Sequence, residues 1–280
     1  MEQFMRSFII KENDSNQRLD KFIQKAVPRL PKTLLYKYIR LKRIKVNGKK
    51  SEISYKLKVG DLIELYINDE FFEASNEKDF LLVPATIDVV YEDENILLVD
   101  KKPGLVVHED NDNTLDTLIN RVLHYLYNKN EYNPDDEASF APALCNRIDR
   151  NTAGIVIVAK NAESLRVLNE RIKERSITKL YLCVVSGHLE KKQDTLIHYH
   201  LKNEKDNTVM IFKKPNKDTK TMITTYRVLD YSKENTLVEV DLKTGRTHQI
   251  RVHLKHLNCP IIGDSMYHTK SSLINRQALH

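Results

Sequence analysis

Between Arg18 and Lys58 the chain carries fourteen Lys and Arg residues against two acids, Asp20 and Glu52. Apolar residues run through that charge at regular intervals. Leu19, Phe22, Ile23 and Ala26 recur at helical spacing after Arg18. Leu34, Leu35, Tyr38 and Ile39 do the same behind Thr33, whose hydroxyl suits an N-cap. RIKVNGKK (Arg43 to Lys50) reads as a short strand entering an Asn47-Gly48 turn, and YKLKVGDLIELYI (Tyr55 to Ile67) alternates as a strand does. The pattern therefore predicts a helix, helix, strand-turn-strand unit that buries its apolar faces and fixes its cations on the surface. Such a patch attracts a polyanion by releasing counterions, with an affinity that falls steeply with salt.

The rest of the chain has the opposite sign. The whole protein has a formal charge of +6, and the basic segment alone accounts for +12, which leaves −6 elsewhere. Eighteen acids face five bases between Asp69 and Phe140, including EDEN (Glu92 to Asn95) and PDDE (Pro134 to Glu137). These read as solvated loops that repel phosphate. At roughly 150 residues per domain, a chain of 280 residues makes one large or two modest domains. An apolar fraction of 41% with few Gly and Pro excludes collagen, mucin and extended disorder. Cys145, Cys183 and Cys259 are widely spaced and odd in number, so neither a disulfide framework nor a CxxC zinc site is expected, and a reducing, cytoplasmic compartment fits. No run approaches the ~18 apolar residues of a membrane span. MEQFMRSFII at the start has a charge in its apolar stretch and no cleavage pattern, so no secretion signal is expected.

Residues 68–82 are acidic and aromatic without periodicity, and Pro84 follows. This sets the expected division: residues 1–83 (core 17–67, linker 68–83), then a second domain over 84–280. In the second, IDVVYED (Ile87 to Asp93) and ILLVDKKPG (Ile96 to Gly104) read as strands, followed by a helix over Thr114 to Leu126. GIVIVAK (Gly154 to Lys160) and KLYLCVVSG (Lys179 to Gly187) are further strands around the helix AESLRVLNERIKE (Ala162 to Glu174). Thr221 to Ser232 and Asn235 to Gly245 are joined too closely for a parallel crossover. The expected class is α+β, with a mixed, mainly antiparallel sheet flanked by helices.

Two polar constellations stand out. NRIDRNTAG (Asn146 to Gly154) puts Arg147, Asp149 and Arg150 in a loop before a buried strand. A carboxylate between guanidiniums stays ionised and serves as nucleophile, base or ion-pair member. TGRTHQIRVHLKH (Thr244 to His256) holds Arg246, His248, Arg251, His253 and His256. If Gln249 to His256 is helical, Arg246 and His248 lie in the turn before it, where guanidinium and backbone donors suit an anion, and Arg251 can face the same loop. The histidines lack the HExxH arrangement of a zinc site, so no metal is expected. KKPG (Lys101 to Gly104) has one Gly and no GKS or GKT, and is not a phosphate loop. Cys145 lacks a triad and reads as a buried apolar cysteine; Tyr181, taken alone, reads as core.

The first unit, with RLDKFI, LLYKYIRLKRIKVNGKK and LKVGDLIEL over Gln17 to Ile67, resembles the small RNA-binding domain first known from small-subunit ribosomal protein four, the S-four type. KPGLVVH (Lys102 to His108), NRIDRNTAGIVIVAK (Asn146 to Lys160), KLYLCVVSG and LKTGRTHQIRVHLKHLNCPIIGD (Leu242 to Asp264) are similar, in order, to the motifs of the ribosomal large subunit pseudouridine synthase A (RluA) family. The resemblance implies an isomerase that converts uridine to pseudouridine in structured RNA without cofactor or metal. The substrate it implies is large-subunit ribosomal RNA first, and transfer RNA second. The resemblance assigns the catalytic aspartate to Asp149, its aromatic partner to Tyr181 and its paired arginine to Arg251. It assigns to Arg147 the filling of the space left by the flipped base. Further substrate contacts are expected from Arg150, Thr152, Lys160, Arg246, His248 and Gln249. RNA contacts in the basic module are expected from Arg18, Lys32, Lys37, Arg40, Lys42, Arg43, Lys45 and Lys49. Asn146 stands where the family has His, and Ala153 where it has Ser. The chain stops at NRQALH (Asn275 to His280), where the family continues, which suggests truncation. A monomer with no membrane partner is expected. The alternatives are a non-catalytic RNA-binding ribosome-assembly factor and a magnesium-dependent nucleic-acid hydrolase.

Overall fold

A computed structural model describes residues 5–72, 78–109, 114–203, 208–267, 274 and 276–280; Asn275 lies outside the described residues. The chain divides into two compact units. One comprises Met1–Val99, His108–Asn146 and Val156–Leu168; the other comprises Asp100–Val107, Arg147–Ile155 and Asn169–His280.

The first unit begins with β1 (Met5–Ile9), α1 (Leu19–Ala26), α2 (Lys32–Arg40), β2 (Ile44–Val46), β3 (Lys49–Lys50) and β4 (Leu62–Tyr66), with sheet order β1-β4-β2-β3. Leu19, Phe22 and Ile23 of α1 pack with Leu35 and Ile39 of α2 against Ile44, Ile63 and Leu65 of the sheet. The periodic apolar residues of the sequence thus form this core. Asn47 and Gly48 have φ of 51° and 73°, the left-handed pair that a tight hairpin requires. Asp61 anchors the hairpin by accepting from Asn47 Nδ2 at 2.8 Å, Tyr55 Oη at 3.1 Å and the Lys58 amide at 2.9 Å. Burial opposes its charge, yet these donors hold its carboxyl below the ordinary range.

Three local expectations change. Thr33 lies inside α2 and Pro31 occupies the N-cap, where a ring that fixes φ and lacks an N–H suits helix entry. The strand read over Tyr55 to Ile67 shortens to β4, because Gly60 turns the chain at a φ of 85°. Strand β1, unforeseen, pairs antiparallel with β4 from Met5↔Tyr66 to Ile9↔Leu62. It is mostly exposed, so its sequence carries little alternation.

A second sheet, in the order β5-β6-β8-β7, contains β5 (Val89–Glu92), β6 (Ile96–Lys101), β7 (Ala143–Leu144) and β8 (Gly154–Ala159). It is accompanied by α3 (Leu118–Asn128) and α4 (Ala162–Lys173). Helix α3 starts later than expected because Thr117 is its cap, accepting from the Asn120 amide at 3.3 Å.

Asp135 and Asp136 of PDDE are exposed as expected, but the segment is tied down rather than loose. Lys11 Nζ donates to the Asp136 carbonyl at 2.6 Å, and Asn13 Nδ2 donates to Glu137 at 2.9 Å. Ser139 Oγ donates to the fully buried Asp14 at 2.6 Å and accepts from Gln17 at 2.8 Å. The acidic stretch is thereby fastened to the start of the basic module within one unit. Among the described residues, one carboxylate oxygen each of Asp14 and Glu137 is buried without a hydrogen bond. Burial, with the Asp14 charge adding to it, raises the Glu137 pKa above the ordinary range against the Asn13 hydrogen bond.

The second unit is built on a five-stranded sheet, β11-β10-β12-β13-β9, antiparallel throughout. Its strands are β9 (Leu180–Ser186), β10 (Gln193–Lys202), β11 (Val209–Phe212), β12 (Lys220–Tyr231) and β13 (Asn235–Leu242). Helix α5 (Gln249–His256) buries Ile250 and Leu254 among Cys183, Val185, Tyr226, Val238 and Val240. Residues 278–280 run beside β9, with Leu182 N donating to the His280 carbonyl at 2.7 Å and Val184 N to that of Ala278 at 3.0 Å. The class is α+β, as expected. Among the described residues, no helix is long and apolar enough to cross a membrane.

A carboxyl whose folded pKa is raised favours folding at low pH and loses that contribution as pH rises through the folded pKa. Glu137→Gln keeps an acceptor for Asn13 and removes the charge that burial and Asp14 disfavour. It is expected to add about 1 kcal/mol, roughly 2–4 °C in melting temperature, at pH 8 and less at pH 5. Thermal unfolding at both pH values checks this; a variant that melts below wild type at pH 8 refutes it.

Candidate active site

Asp149 sits in the loop that leads into β8. The Thr152 amide donates to its carbonyl at 3.1 Å and closes a turn, and the Ala153 amide reaches the Leu279 carbonyl at 3.2 Å. The carboxylate accepts from Arg251 Nη1 at 2.8 Å. Arg251 lies in the first turn of α5 and is 5% exposed. Its Nε and Nη2 make a bidentate pair with Asp264 at 2.7 and 2.9 Å, and its guanidinium lies 5.0 Å from the Tyr267 ring centroid. Asp264 also accepts from the amides of Met266 at 3.1 Å and Tyr267 at 3.3 Å. Burial works against the Arg251 charge, but Asp264 and then Asp149 outweigh it, so the guanidinium is held more firmly protonated than usual.

With its oxygen turned toward Arg251, at 3.0 and 3.1 Å, the Gln277 amide donates to Thr152 Oγ1 at 3.0 Å. This joins the Asp149 loop to the arginine by a second route.

His248, the N-cap of α5, is left-handed, with φ 52° and ψ 21°. That backbone costs a non-glycine residue about 1–3 kcal/mol, and such strain gathers at functional sites. Its Nδ1 is 2.9 Å from the Tyr267 hydroxyl, and its Nε2 is 3.9 Å from Asp149 Oδ2. Burial lowers its pKa despite the Asp149 charge, so the ring is neutral at physiological pH. Tyr181 projects from β9 opposite Val240. Burial, and then the Asp149 charge, raise its pKa, so the phenol keeps its proton.

The structure thus gathers Asp149, Arg251, His248 and Tyr181 in one unit. Arg147, Arg150 and Arg246 are exposed there. Thr152 and Gln249 are buried at 3% exposure each and face protein groups. Gln249 builds the turn before α5, accepting from Thr244 Oγ1 at 2.8 Å and the Arg246 amide at 3.1 Å while donating to Ile223 O and Thr224 Oγ1. Lys160 belongs to the other unit, where it is tied to Glu92 at 3.0 Å and to Glu131. Of the residues expected to contact RNA through the basic module, Lys32, Lys37, Arg40, Lys42 and Lys49 are exposed. Arg43 and Lys45 lie over Tyr38 and Tyr66 at 5.3 and 4.8 Å, and Arg18 clamps Asp20 at 3.0 and 3.1 Å.

His253 is fully buried against Thr224, and burial pulls its pKa down to about 3. Among the described residues no group of three His, Cys, Asp or Glu is arranged to hold a metal. Burial lifts the Cys145 thiol to about 11, which fits an inert cysteine.

Residues 95–256 match the RNA pseudouridylate synthase family, and residues 17–63 match the S4 domain. The chain belongs to the RNA pseudouridylate synthase family and is an isomerase acting on RNA. It is 30% identical over 270 residues to the uncharacterized RNA pseudouridine synthase YlyB of Bacillus subtilis (strain 168), covering 96% of this chain and 85% of that protein. It is 33% identical over 258 residues to ribosomal large subunit pseudouridine synthase D of Escherichia coli (strain K12), covering 92% and 74%. The fold is similar to that of human RNA pseudouridylate synthase domain containing 1, with a TM-score of 0.56 at 24% identity, over 70% of this chain and 76% of that one.

The bidentate pair predicts an order of importance. Asp264→Ala strands the buried Arg251 charge and should cost about 3–5 kcal/mol. Asp149→Ala should cost less than half as much, because Arg251 keeps Asp264. Urea denaturation of both variants checks the order; a larger loss for Asp149→Ala would reverse the roles.

Proposed function

We propose that the substrate is a specific uridine of large-subunit ribosomal RNA and that Asp149 is the catalytic carboxylate. The observation that carries the site is the 2.8 Å contact between Asp149 and an arginine already fixed by Asp264. The relatives named for the large subunit and the S4 domain favour ribosomal over transfer RNA. In the reaction the bond from N1 of uracil to C1′ of the sugar breaks, the base turns, C5 joins C1′, and the proton on C5 is lost as N1 gains one. The atoms balance within one nucleotide, so no co-substrate is needed.

Asp149 either attacks C1′ or takes the proton from C2′; Arg251 orients it for either course. A uridine in a stem must first be extruded at a cost of about a few kcal/mol. Arg147, exposed in the same loop, offers a planar cation to fill the space. Tyr181 offers a ring to stack on the turned uracil. Its raised pKa disfavours a phenolate base at neutral pH, so stacking and hydrogen bonding are the larger part of its role. The exposed Lys and Arg of the basic module hold the RNA, and the module ends near Pro84. The same reading makes the enzyme a cytoplasmic monomer.

Asp149→Asn should abolish pseudouridine formation on ribosomal transcripts while changing RNA affinity less than tenfold; turnover by that variant would remove Asp149 from this role. Deleting the module would strip Glu137 and Ser139 of their partners, so charge reversal is the sharper probe of binding. Lys37→Glu, Arg40→Glu and Lys49→Glu together should reduce the slope of log affinity against log salt by about 2–3. An unchanged slope would place the RNA elsewhere. A pseudouridine map of cells with and without the gene identifies the position modified.

A further inference from the structure

Lys101 ends β6 on the same face as Leu97 and Val99, and it is 1% exposed. A buried ammonium is costly unless its N–H groups are matched. Among the described residues it has no ion pair. Its Nζ donates instead to the carbonyls of Lys102, Leu105 and Arg150, each at 2.9 Å. All three N–H groups are therefore spent on main chain from two segments, the turn after β6 and the loop that carries Asp149. The Arg150 carbonyl takes a second bond from the Gly104 amide at 2.8 Å. The backbone one residue beyond Asp149 is gripped from β6, while the carboxylate itself is gripped by Arg251.

We propose that Lys101 is a positioning residue for the isomerisation, its ammonium setting the loop backbone that aims the Asp149 carboxylate. This rests on the reading of Asp149 as the catalytic group. The chemistry singles out lysine. Methionine would fill the space and leave three carbonyls bare. A guanidinium spreads its donors over a planar fork and cannot direct three N–H groups from one atom. The neutral amine keeps two N–H groups and turns a lone pair on the third carbonyl.

That last difference makes the role measurable. Burial lowers the Lys101 pKa to about 8, with Asp149 and Asp100 opposing; Asp100 is itself 3.2 Å from His280 Nε2. As pH rises through about 8 the ammonium is lost, and one carbonyl of the loop loses its donor. The chemical step should then slow while RNA stays bound.

The test is the single-turnover rate of pseudouridine formation, with saturating enzyme, from about pH 6.5 to about 9.5, on full-length wild type, Lys101→Arg, Lys101→Met and Asp149→Asn. A displaced carboxylate loses rate by about 10²-fold. Lys101→Met should fall by that order and Lys101→Arg by about tenfold, both with RNA affinity within about threefold. Wild type should slow above about pH 8. Lys101→Arg should not, because arginine stays charged, and it controls for titration of the uracil. Should Lys101→Met fail to fold, Lys101→Arg carries the test. A Lys101→Arg enzyme with the wild-type rate and pH profile, beside an inactive Asp149→Asn enzyme, overturns this proposal alone. An active Asp149→Asn enzyme overturns the reading beneath it.

Discussion

Arg251 is the point on which the second unit turns. Two of its donors are committed to the fully buried Asp264, and the remaining aim is fixed on Asp149. An isolated ion pair between Asp149 and a mobile arginine would hold neither group in place, because exposed pairs are worth little against side-chain entropy. The buried bidentate pair changes that. It removes the freedom of the guanidinium before Asp149 meets it, so the Asp149 contact costs only the ordering of a short carboxylate. The surrounding structure serves the same end. Amides of Met266 and Tyr267 support Asp264, the Tyr267 ring lies against the cation, and Gln277 ties the arginine to Thr152. The side chain of Asp149 and the backbone beside it are thus held by different elements.

The first unit shows how a charge imbalance becomes an architectural device. The cations of α2 and the hairpin are exposed, as their spacing implied. The compensating acids are not spread evenly; residues 135–137 are fastened to Lys78, Lys11 and Asn13. A segment that looked like a phosphate-repelling loop is the other half of the module's footing. The cost is a bare oxygen on each of two buried carboxyls.

Much of this was legible in the residues, for identifiable reasons. Helices α1, α2 and α4 carry 3.6-residue periodicity, and β12 and β13 lie too close in sequence to be anything but a hairpin. Strands β1, β10 and β11 were not legible. Their exposed faces, and the histidines of QDTLIHYHLK, erase the alternation on which such a reading depends. The ordered motifs pointed to Asp149, Arg251 and Tyr181. They could not reveal that Gln249 and Thr152 face inward, or that Lys160 is consumed by Glu92 and Glu131. Those outcomes depend on which neighbours the fold supplies. Lys101 is the instructive miss. In ILLVDK it shares the parity of Leu97 and Val99, so the period of two places it inside; a lysine there contradicts ordinary expectation unless main-chain carbonyls await it.

The left-handed backbone of His248 bears on how this site can vary. Few side chains accept that conformation readily; asparagine, aspartate and histidine do so far more often than alanine or branched residues. Position 248 is therefore restricted twice, once by the imidazole that bridges Tyr267 toward Asp149 and once by the turn that starts α5. Replacement by alanine would mix loss of the ring with a reshaped helix entry. Asparagine preserves the turn and removes only the ring, which makes it the informative neighbour in sequence space and the more accessible route for divergence at this position.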